Sequence, residues 1–272
     1  MPELPEVETI KRGLAPHVTN AVIQDIIVRQ HRLRWPIPPN LKQLLAQEKI
    51  LEIQRRGKYL LFSLSTGTLI IHLGMSGRLK LLSCPTAVNR HDHVDIIFSN
   101  QTVLRYHDPR RFGAMVWTDE NPFSHSLIKS LGVEPLDAHF TGDYLKTAAT
   151  HRKTPIKPFI MNHHIVVGVG NIYAAEALFA ANIHPATPAS SLTLKQCTAL
   201  VKSIRTILQE AIKQGGTTLK DFMDSAGNPG YFSQQLKVYG RADLPCMICG
   251  HTVQQLCLGQ RSSAFCAYCQ PL

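Results

Sequence analysis

Residues 59–73 read YLLFSLSTGTLIIHL, and this stretch decides the fold of the first part of the chain. It contains two short apolar runs, 59–64 and 68–73, which are separated by the turn-forming residues 65–67. Apolar runs of this length on either side of a tight turn predict a β-hairpin rather than a helix.

The same alternation of short apolar runs and turns continues on both sides of this hairpin. Further strands are predicted over 21–28, 50–53, 78–82, 94–98 and 102–106, with turns at Arg56-Gly57, Ser76-Gly77 and Ser99-Asn100. Many short strands joined by tight turns indicate an antiparallel β-sandwich. The earlier stretch 7–14 predicts a helix that places the N-terminus near this sheet.

From about residue 121 the apolar residues recur every three or four positions, which is the period of a helix. One helix is predicted through residues 200–212, and it ends at Gly215-Gly216. Another is predicted over 172–181, with Asn171 as its N-cap. The chain therefore changes from strands to helices near residue 121.

The charge of the chain favours a polyanionic partner. Lys and Arg number 29 against 19 Asp and Glu, which gives a formal net charge of +10 on 272 residues. Nucleic acid is the leading partner class, because each phosphate that a cation neutralises releases a counterion. Charge alone leaves ribosomal, membrane-surface and other basic proteins open.

The sequence predicts a cytoplasmic protein. The first residues are acidic and rich in proline, unlike the basic and then apolar start of a signal peptide. The chain shows no apolar run near the ~20 residues that a membrane span needs. Its seven cysteines are an odd number, which argues against a secreted disulfide framework.

The last part of the chain carries a metal-binding pattern. Two C-x-x-C pairs, Cys246/Cys249 and Cys266/Cys269, are separated by sixteen residues. This spacing predicts one structural Zn²⁺ held by four thiolates with no open position for water. Between the pairs, 259–263 reads GQRSS, a polar hairpin tip whose Arg261 suits a phosphate. Cys84, Cys197 and Cys257 have no partner at ligand spacing and are expected to be buried.

Several further motifs occur in a fixed order between residues 2 and 270. They are PELPEVET at 2–9, LGMSG at 73–77, HDHVD at 91–95, DPRRFG at 108–113, GVGNIYAAEALF at 168–179 and PGYF at 229–232. With these motifs and the cysteine-rich tail, the chain resembles the formamidopyrimidine-DNA glycosylase family.

The resemblance implies an α+β fold class with three parts. These are an N-terminal β-sandwich domain with its helix over 1–120, a helical domain over 121–235 and a four-cysteine zinc finger over 236–270. The helical domain is expected to contain a helix-two-turn-helix at about 155–182 and a lesion-binding loop at about 217–231.

The resemblance also implies an enzyme of base excision repair. Such an enzyme removes oxidised purines, through a Schiff base on the nitrogen of Pro2, and cleaves the abasic strand by β,δ-elimination. Removal of Met1 would make Pro2 a free secondary amine, with a pKa of about 8 that leaves part of it unprotonated. By resemblance Glu3 is the general acid/base, to which Glu6 contributes. Lys58 and Arg261 serve in elimination, and Arg261 also holds a phosphate.

The expected partner is duplex DNA that contains oxidised bases or abasic sites, bound by a monomer. The family fills the gap left by a flipped base with residues that match Met75, Arg110 and Phe112. Further DNA contacts are expected from His91, Arg110, Arg111, Arg152, Lys157 and Asn171. The chain departs from the family pattern at Asn162-His163-His164 and at Ala264.

Two other functions are considered. One is an endonuclease VIII-like glycosylase for oxidised pyrimidines, but Met75, Arg110 and Phe112 favour the purine branch. The other is a DNA-binding zinc protein of the same fold without catalysis. The presence of Pro2, Glu3 and Lys58 argues against it, since a mere binder has no use for an N-terminal proline.

Overall fold

The computed structural model describes residues 2–217 and 235–272. These residues form two compact units, one of 2–129 with 215–217 and the other of 130–214 with 235–272. Met1, the motif at 229–232 and all of the predicted loop at 217–231 except Thr217 lie outside the described residues. The three-part division at residues 120 and 235 stays a prediction. Among the described residues, no helix combines the length and the apolarity that crossing a bilayer requires.

The first unit is a sandwich of two four-stranded antiparallel sheets, as the sequence predicted. The sheets contain strands β1 (Ile23–Val28), β2 (Glu52–Arg56), β3 (Tyr59–Ser63), β4 (Thr68–His72), β5 (Arg78–Leu82), β6 (Asp92–Phe98), β7 (Val103–His107) and β8 (Ala114–Thr118). One sheet has the order β1-β6-β7-β5 and the other β2-β3-β4-β8. A single apolar core joins them, with Phe62 and Ile71 from one sheet and Ile96 and Leu104 from the other.

Helix α1 (Leu4–Val18) is longer than the predicted 7–14. It begins with Glu3 as N-cap and has proline in its first turn, where the missing N–H costs nothing. Its buried face, which includes Val7, Ile10 and Leu14, belongs to the core of the sandwich. A second, short helix in this unit is α2 (Leu41–Leu45).

The prediction for strand β2 was wrong by several residues. The apolar run 50–53 suggested its position, but the strand is Glu52–Arg56 and is largely polar. The tight turn at Gly57-Lys58 fixes the register instead, since it pairs Arg56 with Tyr59. Gly57 has a φ of +56°, which suits the first position of a type II′ turn.

The second unit is helical and contains α3 (Gly142–Ala149), α4 (Ile156–Ile160), α5 (Asn171–Ala180) and α6 (Leu194–Lys213). Helix α6 begins earlier than the predicted 200–212, because Thr193 and Gln196 form a capping box. The expectation that Asn171 caps α5 was wrong. Gly170 is the N-cap, and Asn171 is the first helical residue.

A hairpin of β9 (Gln254–Leu258) and β10 (Arg261–Phe265) completes the second unit. Its small apolar cluster includes Val253, Ala264 and Cys266 and packs against Ala175 and Phe179 of α5. Ala264, where the family commonly has an aromatic residue, is therefore buried in this cluster. The hairpin is thus seated on the helix that the resemblance assigns to the helix-two-turn-helix.

Candidate functional site

The N-terminal candidates are buried at the start of α1. Pro2 is buried, and Glu3 is 3% exposed. The backbone N–H of Glu3 donates to Glu6 Oε2 at 2.8 Å. Glu6 Oε1 accepts from the N–H and the hydroxyl of Thr217, at 2.9 and 3.0 Å. Both Glu6 oxygens are thus engaged in holding backbone, so Glu6 fits a positioning role better than proton transfer.

Lys58 lies in the turn between β2 and β3 and is half-buried. Helix α1 packs against both strands, and Arg55 of β2 bonds to Glu8 of α1 with its Nε 2.9 Å from Oε2. The turn that carries Lys58 is therefore fixed to the helix that begins next to Pro2 and Glu3.

Sequence reasoning missed His72, the last residue of β4. Its ring lies 4.7 Å from that of Tyr59, centroid to centroid. Burial, followed by the positive charges of Lys58 and Arg34, lowers the pKa of His72 to about 4. The imidazole is therefore neutral at pH 7, and its Nδ1 accepts from Gly74 N at 3.1 Å, which leaves the proton on Nε2. The only sequence signal was its position just before the LGMSG motif.

Two loops of the first unit present Met75, Arg110 and Phe112. The Arg110 guanidinium carbon lies 4.6 Å from the centre of the Phe112 ring, and Phe112 is 43% exposed. Arg110 is exposed, and Met75 is half-buried. A planar cation stacked on an exposed aromatic ring is suited to replace the stacking of a flipped base.

Arg111 lies between Arg110 and Phe112 in one of these loops, and His91 lies next to the start of the same loop. Arg111 is exposed, has a φ of +54° and donates its backbone N–H to Asp108 O at 3.2 Å. His91 is half-buried, with its ring 6.3 Å from His93 and 6.0 Å from His107. Asp108 N donates to His91 O at 3.0 Å. The buried Asp108 thus forms backbone hydrogen bonds with both His91 and Arg111.

The second unit carries its own candidate anion contacts. Arg152 and Arg261 are exposed. Arg261 opens β10 after a turn in which Gly259 and Gln260 have φ values of +54° and +60°, the left-handed pair of a type I′ hairpin. Asn171 Oδ1 is buried with no hydrogen-bond partner among the described residues. Because an amide oxygen only accepts, this free capacity is not for an anion; a phosphate at the N-terminus of α5 would bond to the Asn171 Nδ2 or to backbone N–H groups.

Lys157, one of the predicted DNA contacts, is buried. It is 1% exposed, and its Nζ donates to Ser262 O at 2.7 Å and to Ser263 Oγ at 2.9 Å. These bonds tie α4 to the hairpin that carries Arg261. Lys157 thus holds the hairpin, and its contact with a DNA phosphate stays a prediction. A lysine that folds back on a backbone carbonyl leaves no signal in the sequence.

The four cysteines predicted as metal ligands come together. Their sulfur atoms all lie within 4.8 Å of one another, and pairs are separated by 3.5 Å (Cys249–Cys266 and Cys249–Cys269) and 3.9 Å (Cys246–Cys269). Zn–S bonds of about 2.3 Å in a tetrahedron would separate the sulfurs by about 3.8 Å. The donor set and its spacing therefore fit Zn²⁺.

The other three cysteines differ from expectation. Cys197 is buried as predicted, but Cys84 and Cys257 are exposed. Cys257 lies on β9 opposite Ser262, on a strand whose residues mostly face solvent. An unpaired cysteine in a sequence does not reveal which face of a strand it occupies.

Comparisons with known proteins agree with this arrangement. Residues 1–115 match the model of the formamidopyrimidine-DNA glycosylase N-terminal domain, and residues 131–223 match that of the formamidopyrimidine-DNA glycosylase H2TH domain. The formamidopyrimidine-DNA glycosylase of Nitrosococcus oceani is 52% identical over 270 residues, which are 99% of this chain and 100% of that protein. That of Hydrogenovibrio crunogenus is 53% identical over 99% of this chain and 96% of its own length.

Solved structures give the same result. The Lactococcus lactis Fpg (MutM) in complex with DNA containing N7-benzyl-Fapy-dG superposes with a TM-score of 0.92 at 32% identity, covering 100% of both chains. The MutM (Fpg) protein of Thermus thermophilus gives 0.89 at 36% identity, covering 99% of this chain and 98% of that one. By its sequence, its fold and the placement of its motif residues, the chain belongs to the formamidopyrimidine-DNA glycosylase family of base-excision-repair enzymes, which are DNA glycosylases and abasic-site lyases.

Proposed function

We propose that this protein removes oxidised purines, namely 8-oxoguanine and formamidopyrimidines, from duplex DNA and cleaves the resulting abasic strand by β,δ-elimination. The observation that carries the proposal is the first unit itself. It combines the buried Pro2-Glu3 start of α1, the Lys58 turn fixed to that helix, and an exposed Arg110–Phe112 stack. Relatives of this chain have been solved with DNA that contains Fapy-dG or an abasic site.

Pro2 is the proposed nucleophile. Once Met1 is removed, its nitrogen is a secondary amine, and because α-amino groups ordinarily lose their proton far more readily than lysine, a usable fraction is unprotonated at neutral pH. Its lone pair attacks the sugar C1′, and the bond from C1′ to the base breaks. The C1′–O4′ bond of the sugar ring then breaks as O4′ takes up a proton. The product is an iminium that has no N–H proton to lose, so it stays positively charged. That charge acidifies the C2′ protons and drives loss of first the 3′ and then the 5′ phosphate.

Glu3 is the proposed general acid/base next to this amine. It is buried at the N-cap of α1, next in sequence to the nucleophile and away from bulk water. Such a carboxyl can protonate the opening sugar ring and later accept a proton, a role worth about 10²- to 10⁴-fold in rate. Lys58, with the neutral His72 beside it, offers donors to a phosphate during elimination.

The second unit supplies the proposed phosphate contacts of Arg152, Asn171 and Arg261. The four cysteines would hold one structural Zn²⁺, which cross-links the segments on either side of the β9–β10 hairpin. Arg261 depends on that hairpin, which Lys157 also holds through the carbonyl of Ser262. Arg261 is therefore presented by a doubly anchored turn, as its proposed part in the second elimination requires.

The runner-up substrate class is oxidised pyrimidines. The Lactococcus lactis Fpg has been solved with DNA that contains an oxidised pyrimidine, so this class needs a direct comparison. Single-turnover excision from matched duplexes, one with 8-oxoguanine and one with 5-hydroxyuracil, decides between the two. Faster release of 8-oxoguanine supports the proposal. Faster release of the pyrimidine supports the runner-up, and no release of either supports a non-catalytic DNA binder.

Arg110→Ala should narrow the preference for 8-oxoguanine opposite cytosine over 8-oxoguanine opposite adenine. The orphaned cytosine offers two adjacent acceptors, O2 and N3, whereas adenine sets its N6 amino donor beside a single acceptor. A guanidinium has donors only, so it matches cytosine and meets a donor on adenine. One good bidentate contact is worth ~1–3 kcal/mol, so we expect the ratio to fall by roughly 10- to 100-fold.

The measurement is single-turnover excision from both duplexes by both proteins. The matched control is Arg111→Ala, which removes the neighbouring exposed arginine. It should weaken binding to both duplexes alike and leave the ratio in place. A ratio that survives in Arg110→Ala would show that another residue reads the orphaned base.

A further inference from the structure

A buried hydrogen-bond network joins the two loops that carry the proposed gap-filling residues. Asp108 is 0% exposed, and its carboxylate accepts bonds from both loops. Oδ1 accepts from Ser76 Oγ at 2.6 Å, and Oδ2 accepts from Gly113 N at 2.9 Å and Tyr106 OH at 3.2 Å. Met75 directly precedes Ser76, whereas Arg110 and Phe112 lie between Asp108 and Gly113. Asp108 therefore fixes both ends of the loop 108–113, which carries Arg110 and Phe112. It also fixes the centre of the loop 73–77, which carries Met75.

Ser76 makes a second bond, and its direction is set by the first. Arg110 N donates to Ser76 Oγ at 3.3 Å. A serine hydroxyl has one proton, and a carboxylate can only accept, so Ser76 donates its proton to Asp108 and keeps its lone pairs for Arg110. The backbone of Arg110 is thus tied through one hydroxyl to the residue next to Met75.

The backbones of the two loops also pack directly on each other. Gly74 has a φ of +63°, and a Cβ there would overlap the carbonyl group of Phe112. A Cβ on Gly113 would lie 2.5 Å from His72 O and would overlap the Tyr106 hydroxyl. With no side chain between the loops, a small shift of one moves the other.

The hydroxyl of Tyr106 is a protonated member of this network at neutral pH. Burial, together with the nearby Asp108 carboxylate, raises the pKa of Tyr106 well above its usual range. Tyr106 therefore keeps its proton at neutral pH and donates it to Asp108. The direction of the Ser76 hydroxyl follows from the same carboxylate.

We propose that Ser76, oriented by Asp108, is a positioning residue that determines opposite-base specificity by holding the Arg110 backbone in register with Met75. Its hydrogen bonds are with Asp108 and the Arg110 backbone, and it has no proposed part in the chemistry at the sugar. The inference rests on the proposed reading of the orphaned base by Arg110. Discrimination between orphaned cytosine and orphaned adenine by Arg110 would then depend on the hydroxyl of Ser76, which lies in the loop that carries Met75.

Ser76→Ala tests this inference. Loss of one net hydrogen bond to Arg110 N should lower the ratio of 8-oxoguanine excision opposite cytosine to that opposite adenine by about fivefold. Strand cleavage at a preformed abasic site should stay within about twofold of the unsubstituted protein, because elimination does not involve the orphaned base. Ser76→Thr, which keeps the hydroxyl, should restore most of the ratio.

The matched control is Ser65→Ala. It removes another serine–carboxylate bond of the first unit, Ser65 Oγ to Glu48 Oε2 at 2.5 Å, in the turn between β3 and β4. This change should leave the ratio unaltered. If Ser76→Ala also leaves it unaltered, or lowers excision opposite both bases and abasic-site cleavage equally, the inference is overturned.

The double variant separates this inference from the proposed function. If Ser76 acts through Arg110, Ser76→Ala should have no further effect on the ratio in an Arg110→Ala background. A further fall there would show that Ser76 acts by another route and would overturn the inference. An unchanged ratio in Arg110→Ala alone would instead refute the proposed role of Arg110, and the inference with it.

Discussion

Inserting one lysine between Met1 and Pro2 should abolish base excision and strand cleavage together, by a factor on the order of 10⁴ or more. The inserted residue turns the Pro2 nitrogen into a peptide amide, whose lone pair is delocalised and cannot attack C1′. Both reactions should fail because both pass through the same nitrogen. Single-turnover assays on 8-oxoguanine and abasic-site duplexes measure the loss, and mass spectrometry of the protein verifies that the extension is retained.

The matched control adds the same lysine after Leu272, which is 86% exposed. That protein should keep both activities. Since Pro2 is buried, the affinity of the N-terminally extended protein for abasic DNA is measured as well, to separate lost chemistry from lost binding. Excision at the normal rate by a protein that retains the extension would exclude Pro2 as the nucleophile.

Cys249→Ser should abolish binding of the proposed Zn²⁺ and weaken binding to lesion-containing duplex by about 100-fold or more. The apolar cluster under the hairpin is small, with Val253, Ala264 and Cys266 among its few buried members. Such a cluster is too small to fold the segment without a metal cross-link. Arg261 would then lose its fixed position, while the first unit keeps its own core.

Zinc content per chain and duplex affinity at fixed salt are the two readouts. Cys257→Ser is the matched control, because it removes an exposed cysteine from the same hairpin outside the four-sulfur cluster. It should retain one zinc and full affinity. Unchanged DNA affinity in a Cys249→Ser protein shown to be metal-free would refute the structural role of the zinc.

The sequence predicted the sandwich well, because its strands are short apolar runs that turns separate. The hairpin of β3 and β4 appears within one residue of its predicted bounds. Strand β2 was misplaced because its residues are mostly polar and its register comes from the Gly57-Lys58 turn. The periodicity of apolar residues indicates which residues are buried. It therefore does not detect a strand, such as β2, whose position is set by backbone hydrogen bonds and not by buried side chains.

The candidate site was predictable only where a motif carried it. The four-cysteine cluster follows from spacing, since each C-x-x-C pair brings two sulfurs into one turn. The burial of Lys157 and the neutral state of His72 were not predictable, because both arise from contacts between distant parts of the chain. The Ser76–Asp108 bond joins residues 32 positions apart, so it was not predictable from the sequence for the same reason.

Borohydride trapping on duplex DNA that contains 8-oxoguanine tests the Pro2 mechanism at its defining intermediate. Reduction of the iminium makes the transient bond between enzyme and sugar permanent, and peptide mapping then identifies the attached residue. The mechanism predicts a covalent complex linked through the nitrogen of Pro2 in protein from which Met1 has been removed. Attachment through a lysine such as Lys58, or excision of the base with no trapped complex, would contradict it.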